Sequence, residues 1–299
     1  MKEATLDKLN IFIVMFFISL IMSLQSPVFT PYAATVGASA VLIGFILSAT
    51  SLANLCGNLF AGPLVDRFGK KIFIVIPMFL SSGLFIGHGL VNDSISLLIL
   101  HAFNGFMLGF LIPAGFALLS GYAKNSRDQG RNMAIHGILA TTSSIVAPLI
   151  GGKLVVLIGY ANTYFCIGIA MIFAGVYAVY YLKDRQVVVV KHNVTNSNSS
   201  SFRHLLKNPL LLVVYLGGFS IMYIHGVFAY EIPYLTVEKG LSTFTTGQLF
   251  SYMGIGVFIA LSLFFVHRFN AIYRIMFSMF GMAMALFAIV TNAISLPVL

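Results

Sequence analysis

The chain has 299 residues, of which 59% are hydrophobic and only 8% are charged, and its formal net charge is +9. Its mean hydropathy is +0.97. A surface in contact with water needs more charged side chains than this, so the composition excludes an ordinary soluble protein and predicts an all-α polytopic membrane protein. Cys56 and Cys166 both lie in apolar runs, which predicts no disulfide framework.

Nine segments are apolar over about 20 residues, the length that a membrane-spanning helix needs. In chain order the predicted spans are 9–30, 41–62, 71–91, 95–121, 132–157, 162–182, 209–233, 244–266 and 272–293. The first run could instead be a signal peptide, because Lys2 and Lys8 precede it. Its apolar core is longer than that of a signal peptide, however, and the second span follows at once. We therefore expect a retained helix.

The lysines and arginines are distributed unevenly between the two sides of these spans. With the N-terminus in the cytoplasm, all 17 except Lys153 and Lys239 fall on the cytoplasmic side. Basic connections stay on that side of a membrane. The sequence therefore predicts a multi-pass protein of the cell membrane with a cytoplasmic N-terminus. The positive charge is explained by contact with the lipid bilayer, and no nucleic-acid partner is expected.

The chain divides into three predicted parts. Residues 1–182 hold six spans and are expected to form an N-terminal transmembrane bundle. Residues 183–208 include a run of Asn and Ser that cannot bury enough apolar surface to fold, which predicts a flexible cytoplasmic linker. Residues 209–299 hold three spans and are expected to form part of a second bundle.

A short repeat relates the two halves. Four small residues around the start of span two recur 203 positions later around the start of span eight. The first copy is Gly37, Ser39, Gly44 and Ser48, and the second is Gly240, Ser242, Gly247 and Ser251. Two bundles in parallel orientation are typical of transporters that rock about a site near the bilayer midplane.

The connection between spans two and three has a specific pattern, Gly62-Pro63-Leu64-Val65-Asp66-Arg67-Phe68-Gly69-Lys70-Lys71. Gly62 allows close helix packing, Gly69 allows a tight turn, and Asp66 lies among three positive charges. An ordinary basic loop is the alternative. The run resembles the loop signature of the major facilitator superfamily, from which Phe73 departs by replacing a basic residue.

This resemblance implies a major-facilitator-like fold of two bundles, with about nine of an expected twelve helices present. The chain is accordingly expected to be a C-terminally truncated member, monomeric, whose activity could depend on the missing helices. The resemblance also implies that the loop is a conformational latch, in which Asp66 meets the cytoplasmic end of the eleventh helix. The latch residues are Gly62, Asp66, Arg67, Gly69, Lys70 and Lys71.

Span four contains Leu98-Ile99-Leu100-His101-Ala102-Phe103-Asn104-Gly105. This run resembles a second motif of the superfamily, with His101 in place of an arginine associated with proton coupling and Asn104 in place of a glutamine. Histidine gains and loses a proton near neutral pH, whereas arginine does not. His101 is therefore either a proton carrier or a neutral, hydrogen-bonded packing residue.

Span five contains Ala147-Pro148-Leu149-Ile150-Gly151-Gly152. This run is similar to the element that distinguishes antiporters in the superfamily, although Ala147 replaces the glycine before the proline. By resemblance, Pro148, Gly151 and Gly152 form a hinge, and a generic kinked helix is the alternative.

Three further polar residues lie inside predicted spans, where such groups are costly and often functional. Glu231 near the outer end of span seven could hold a proton and release it when water enters, or could be an acid at the interface. His225 is expected to be better buried than Glu231, with hydrogen bonding to a neighbouring helix as the alternative. Gln25 lies past the midplane in span one and could reach the same cavity as His101.

Together these features predict a secondary active transporter, a proton-coupled exporter that works by alternating access. Its small-molecule substrate would be a drug, or a metabolite such as a metallophore or siderophore. The proton gradient would supply the energy, without a cofactor or a bound metal. The alternatives are a nutrient importer of the same superfamily and a non-transporting truncated remnant. No metal-ligand or nucleophile motif indicates an enzyme.

Overall fold

A computed structural model describes residues 2–184, 209–263 and 271–291. Throughout these ranges every regular element is a helix, which confirms the all-α polytopic class. The helices are α1 (Lys2–Leu24), α2 (Phe29–Thr35), α3 (Ala40–Phe68), α4 (Ile72–His88), α5 (Ser94–Ser120), α6 (Ser126–Tyr181), α7 (Pro209–Glu238), α8 (Thr243–Ser262) and α9 (Ala271–Val290). Within the described ranges, five helices are long and apolar enough to cross a membrane, and α4 and α9 contain shorter apolar stretches.

Within the described residues, each of the nine predicted spans overlaps a helix, and the first span overlaps both α1 and α2. Helix α6 accounts for two of them, because Gly159 has a φ of 80° and a ψ of 172° and breaks it into two helical halves. The break lies in the predicted gap between spans five and six. The predicted linker lies, from residue 185 onward, outside the described residues.

The first predicted span differs from the structure at its far end. Helix α1 ends at Leu24, and a turn at residues 25–28 separates it from the short helix α2. Pro27 has no N–H to donate and disfavours helical geometry at the residue before it, which accounts for the turn. The amide N–H of Val28 donates to the carbonyl of Gln25 at 2.9 Å and closes this turn.

The chain forms two compact units. The first comprises Met1–Val187 with Pro233–Phe258, and the second comprises Val188–Ile232 with Ile259–Leu299. In the first unit α3 packs closely on α5, because glycines let the two backbones touch. A Cβ atom on Gly105 would lie 2.6 Å from the carbonyl oxygen of Thr50, and the side-chain amide of Asn54 donates to the carbonyl of Gly105 at 3.1 Å. In the second unit Gly217 of α7 faces Ile275 of α9.

The two copies of the sequence repeat adopt the same local structure. Gly37 and Gly240 end α2 and α7 with φ angles of 85° and 68°. In both turns the glycine and the residue after it return hydrogen bonds to the last helical carbonyls, as in a Schellman motif. Ser39 and Ser242 then cap α3 and α8, each accepting a backbone N–H at 3.3 Å.

Candidate functional site

A buried cluster of polar and aromatic side chains lies in the first unit, where α2, the end of α4, α5 and the second half of α6 meet. The cluster lies at one end of these helices. The Lys- and Arg-rich connections lie at the opposite end, which we call the basic end. The members are at most 5% exposed, and two of them are the histidines of α4 and α5. They are Phe29, Tyr32, His88, His101 and Tyr164.

The two histidines form a hydrogen bond whose direction can be assigned. Nδ1 of His88 lies 2.7 Å from the carbonyl oxygen of Leu84. Because a carbonyl only accepts, we assign a hydrogen to this nitrogen. Nε2 of His88 lies 3.0 Å from Nδ1 of His101. In a neutral pair, His101 therefore donates from Nδ1 and His88 accepts at Nε2.

The pair can accept one additional proton without breaking this hydrogen bond. A charged His88 would donate from Nε2 to Nδ1 of His101, whose own hydrogen would then be on Nε2. A second additional proton would place hydrogens on both facing nitrogens, and these would repel each other. The geometry therefore suits a single excess proton. An arginine at position 101 could not exchange one.

Helix α2 covers the histidine pair. The ring of Phe29 stacks on His101 with centroids 3.6 Å apart. The hydroxyl of Tyr32 donates to the carbonyl of His88 at the end of α4. Tyr164 stacks on His88 from α6 with centroids 5.0 Å apart, and its hydroxyl is buried with no hydrogen-bond partner in the described part of the chain. Phe29, Tyr32 and Tyr164 would therefore have to move before water could reach the pair.

Two other predicted cavity residues contribute polar atoms to the first unit. Asn104 lies one turn along α5 from His101 and is 1% exposed. Its Oδ1 atom and the Oε1 atom of Gln25 are buried and have no partner among the described residues. Gln25 lies in the turn that leads into α2, one helical turn before Phe29, so it is close in sequence to the cover of the pair.

Glu231 and His225 belong to the second unit. The expectation that His225 is better buried is wrong, because His225 is exposed whereas Glu231 is only partly exposed. The neighbouring residues Met222 and Tyr223 are also exposed, at 67% and 65%.

The residues of the predicted hinge lie in the first half of α6 and contact α1 and α8. Gly151 lies against the carbonyl of Leu24, and Gly152 lies against the start of α8. Gly247 of α8 packs on the carbonyl of Pro148. The hydroxyl of Ser251, one turn further along α8, donates to the carbonyl oxygen of Ile145 at 2.6 Å. Small residues thus bring α6 and α8 into backbone contact on both sides of the proline.

The predicted connection at residues 62–71 is shorter in the structure, because α3 continues to Phe68 and only residues 69–71 join it to α4 at the basic end. We keep the name latch loop for residues 62–71. Gly62, Asp66 and Arg67 are exposed, and the guanidinium of Arg67 lies 5.2 Å from the ring centroid of Phe68. Gly69 has a φ of 103°, as its predicted role in a turn requires. No ion pair involves Asp66 within the residues that the structure describes.

A residue that the sequence analysis did not single out holds this loop in place. The Oδ2 atom of Asp184 accepts from the backbone N–H groups of Lys70 and Lys71, at 2.7 and 3.3 Å. The ammonium of Lys71 in turn donates to the carbonyl of Val179 at 2.6 Å. No sequence pattern marks Asp184, because the contact joins residues 114 positions apart.

His88 was also missed. It is the last residue of α4, whereas His101 lies two helical turns into α5. Because the two histidines lie at different distances from the turn at residues 89–93, their spacing in the sequence does not mark them as a pair.

The sequence profile of the Major Facilitator Superfamily matches residues 11–297, which is nearly the whole chain. The chain belongs to the Major Facilitator Superfamily. Membership confirms the resemblance seen in the loop at residues 62–71, and it places the chain among transporters rather than enzymes. The helices α3, α4 and α5 that carry the latch loop and the histidine pair all lie inside the matched range.

Proteins similar to this superfamily member include a probable L-galactonate transporter and a multidrug resistance protein. The probable L-galactonate transporter of Escherichia coli (strain K12) is 25% identical over 227 residues, which cover 71% of this chain and 50% of the relative. Multidrug resistance protein 2 of Bacillus subtilis (strain 168) is 23% identical over 267 residues, which cover 87% and 66%. The chain spans about half the length of the curated relatives it matches.

Solved structures show the same fold. A bacterial homolog of the human lysosomal transporter Spinster, in an inward-facing and unoccupied conformation, superposes with a TM-score of 0.72 at 16% identity. The superposition covers 90% of this chain and 64% of that chain. At this identity the similarity concerns the fold alone.

Proposed function

We propose that this protein is a proton-coupled secondary transporter of the cell membrane that exports small organic molecules by alternating access. The observation that carries the proposal is the buried hydrogen bond between His88 and His101, which can take one excess proton. Export is supported by the proline hinge at Pro148, which resembles the antiporter element. It is also supported by the similarity to a multidrug resistance protein. The substrate would be a drug-like molecule or a metabolite such as a metallophore or siderophore.

In the proposed cycle the proton enters from the end opposite to the basic end. The positive charge at the basic end supports an orientation in which the opposite end faces the outside of the cell and the N-terminus is in the cytoplasm. A charge in a dry membrane interior costs several kcal/mol. The pair would therefore take up its proton while α2 is displaced and water is present. Closure of Phe29 and Tyr32 over the protonated pair, followed by opening at the basic end, would then separate proton uptake from release.

The proposal is tested with purified protein in liposomes, an imposed pH gradient and ethidium as a fluorescent substrate probe. Wild-type protein should move ethidium against its gradient while protons move down theirs. His101→Gln and His88→Gln should each abolish the dependence of the rate on the pH gradient. His136→Gln is the matched control, because His136 is also a buried histidine, 8% exposed, and packs on Phe116 in another part of the first unit. Wild-type pH dependence in both pair variants would refute the proton site.

Uptake of a polar organic acid is the second candidate, favoured by the similarity to a probable L-galactonate transporter. Liposomes with L-galactonate outside and a pH gradient of either sign distinguish the two. Proton-driven accumulation of L-galactonate with no movement of ethidium would identify an importer. If neither compound moves and no proton flux is seen, the chain by itself does not transport, which is the remaining alternative.

A further inference from the structure

The start of helix α4 has no capping hydrogen bond from the side chain of its own N-cap residue. Its N-cap residue, Lys71, makes no capping hydrogen bond with its side chain. The first N–H groups of a helix have no partner inside the helix and need an acceptor. Here the acceptor for the N–H groups of Lys70 and Lys71 is the carboxylate of Asp184, which lies just beyond the end of α6. A negative charge at this end also suits the helix dipole of α4.

In return, a residue at the start of α4 stabilises the C-terminal end of α6. The last carbonyls of a helix need donors, and a positive charge suits that end. Lys71 supplies both the donor and the positive charge, since its ammonium lies 2.6 Å from the carbonyl oxygen of Val179. Lys71 and Asp184 thus cap each other's helices. We call the two residues with Gly69 and Lys70 the reciprocal cap.

The contact depends on Gly69 for two reasons. Its φ of 103° is a conformation that residues with a side chain rarely adopt. In addition, a Cβ atom at this position would lie 2.8 Å from Oδ2 of Asp184 and would displace the carboxylate. Asp184 is held from other sides as well, because the hydroxyl of Tyr122 at the end of α5 donates to the carbonyl of Lys183 at 3.0 Å. The ammonium of Lys183 lies 3.3 Å from Oδ1 of Asp7 in α1.

We propose that Asp184 is the positioning residue of the latch loop, and that the reciprocal cap makes this loop and the start of the predicted linker move together. Residues 69–71 then keep their shape only while the segment at residues 182–184 stays in contact with them. A displacement of that segment would be transmitted through Gly69 to Asp66 and Arg67 at the end of α3. The inference rests on the proposed transport function only for its second readout.

The first readout is hydrogen exchange of the backbone amides of residues 69–72 in the purified full chain. Asp184→Ala should speed this exchange on the order of tenfold, because it removes a charged acceptor from two N–H groups. Asp184→Asn keeps an acceptor oxygen and should restore most of the protection. Lys71→Ala combined with Asp184→Ala should add little to either single change, because the two hydrogen-bonded contacts join the same two segments and are expected to be coupled.

The matched control is Asp93→Ala, which removes an acid from the start of α5 at the opposite end of the unit. It should leave exchange at residues 69–72 unchanged. Unchanged exchange in Asp184→Ala, or equal acceleration in Asp93→Ala, would overturn the positioning role. The latter result would mean that only global stability has been lost.

The second readout is proton-driven ethidium movement in liposomes. Asp184→Ala should slow it several-fold, and Asp184→Asn should recover most of the rate. Faster exchange at residues 69–72 with a wild-type transport rate would overturn the link between the cap and gating. If wild-type protein itself moves neither protons nor ethidium, the proposed function fails, and the exchange experiment still decides whether Asp184 positions the loop.

Discussion

Replacement of Gly152 by alanine tests the backbone contact between the hinge of α6 and the start of α8. A Cβ atom at this position would lie 2.6 Å from the carbonyl oxygen of Thr243 and 2.9 Å from the Cα atom of Phe244. The first distance is about 0.8 Å shorter than the 3.4 Å at which contact becomes ordinary. Both neighbours are backbone atoms, so the overlap can be relieved only if α6 and α8 separate.

The magnitude follows from two opposing effects. Removing a glycine from a helix interior stabilises the fold by about 0.5 to 1 kcal/mol. Overpacking costs about 1 to 3 kcal/mol. The midpoints of these ranges differ by about 1 kcal/mol, so Gly152→Ala should lower the free energy of unfolding by about that amount. A Cβ atom on Gly137, in the same half of α6, would have no neighbour within 4 Å. Gly137→Ala should therefore raise the free energy of unfolding by about 0.5 to 1 kcal/mol.

Unfolding of the purified protein by sodium dodecyl sulfate, followed by circular dichroism, measures both variants. The two variants are expected to change the free energy of unfolding in opposite directions. A general effect of alanine in a helix therefore cannot explain the difference between them. If Gly152→Ala unfolds at the same detergent fraction as Gly137→Ala, the start of α8 does not lie against Gly152. The inference that the hinge packs closely on α8 would then be wrong.

Three further predictions use the same measurement. Tyr32→Phe removes the donor to the carbonyl of His88 and should destabilise the protein by about 1 to 2 kcal/mol; an unchanged unfolding curve would show that α2 does not cap α4. Ser251→Ala should cost about 1 kcal/mol because its hydroxyl reaches Ile145, whereas Ser48→Ala, its exposed counterpart in the repeat, should cost nothing measurable. The backbone N–H of Ser96 holds the pKa of Asp93 below its ordinary value of 3.8. Because the folded pKa is depressed, this stabilisation is present above about pH 4 and is lost as the pH falls through the folded pKa. Asp93→Asn should remove that part of the acid dependence, and an unchanged pH profile would contradict the cap.

The spans could be predicted because each rests on a local property, a run of apolar residues long enough to cross a bilayer. The break at Gly159 was also visible as a gap between two such runs. The turn after Leu24 was not, because the apolar run continues through Pro27 into α2. Hydropathy does not report the missing amide N–H that makes proline a helix breaker.

The candidate site was predicted only in part, for a similar reason. His101 was identified from a resemblance within one helix, but its partner His88 belongs to the preceding helix. The hydrogen bond between them depends on the rotation of α4 and α5 about their axes, which an apolar pattern on nearly all sides does not set. The same limit applies to Asp184, whose acceptor role depends on where the end of α6 lies relative to the loop at Gly69.

The repeat shows how far a match between the two halves extends. Ser48 and Ser251 both donate to the carbonyl four residues earlier at 2.9 Å, so the local hydrogen bond is the same in the two copies. Ser48 is nevertheless exposed, whereas Ser251 is 2% exposed and also reaches the carbonyl of Ile145. Turns and caps follow from the residues of the repeat itself, because their hydrogen bonds close within a few positions. Burial depends on the small residues around Pro148, for which the repeat carries no information. An equal effect of the two serine substitutions would therefore mean that local bonding alone, and not packing on α6, explains why the serine recurs.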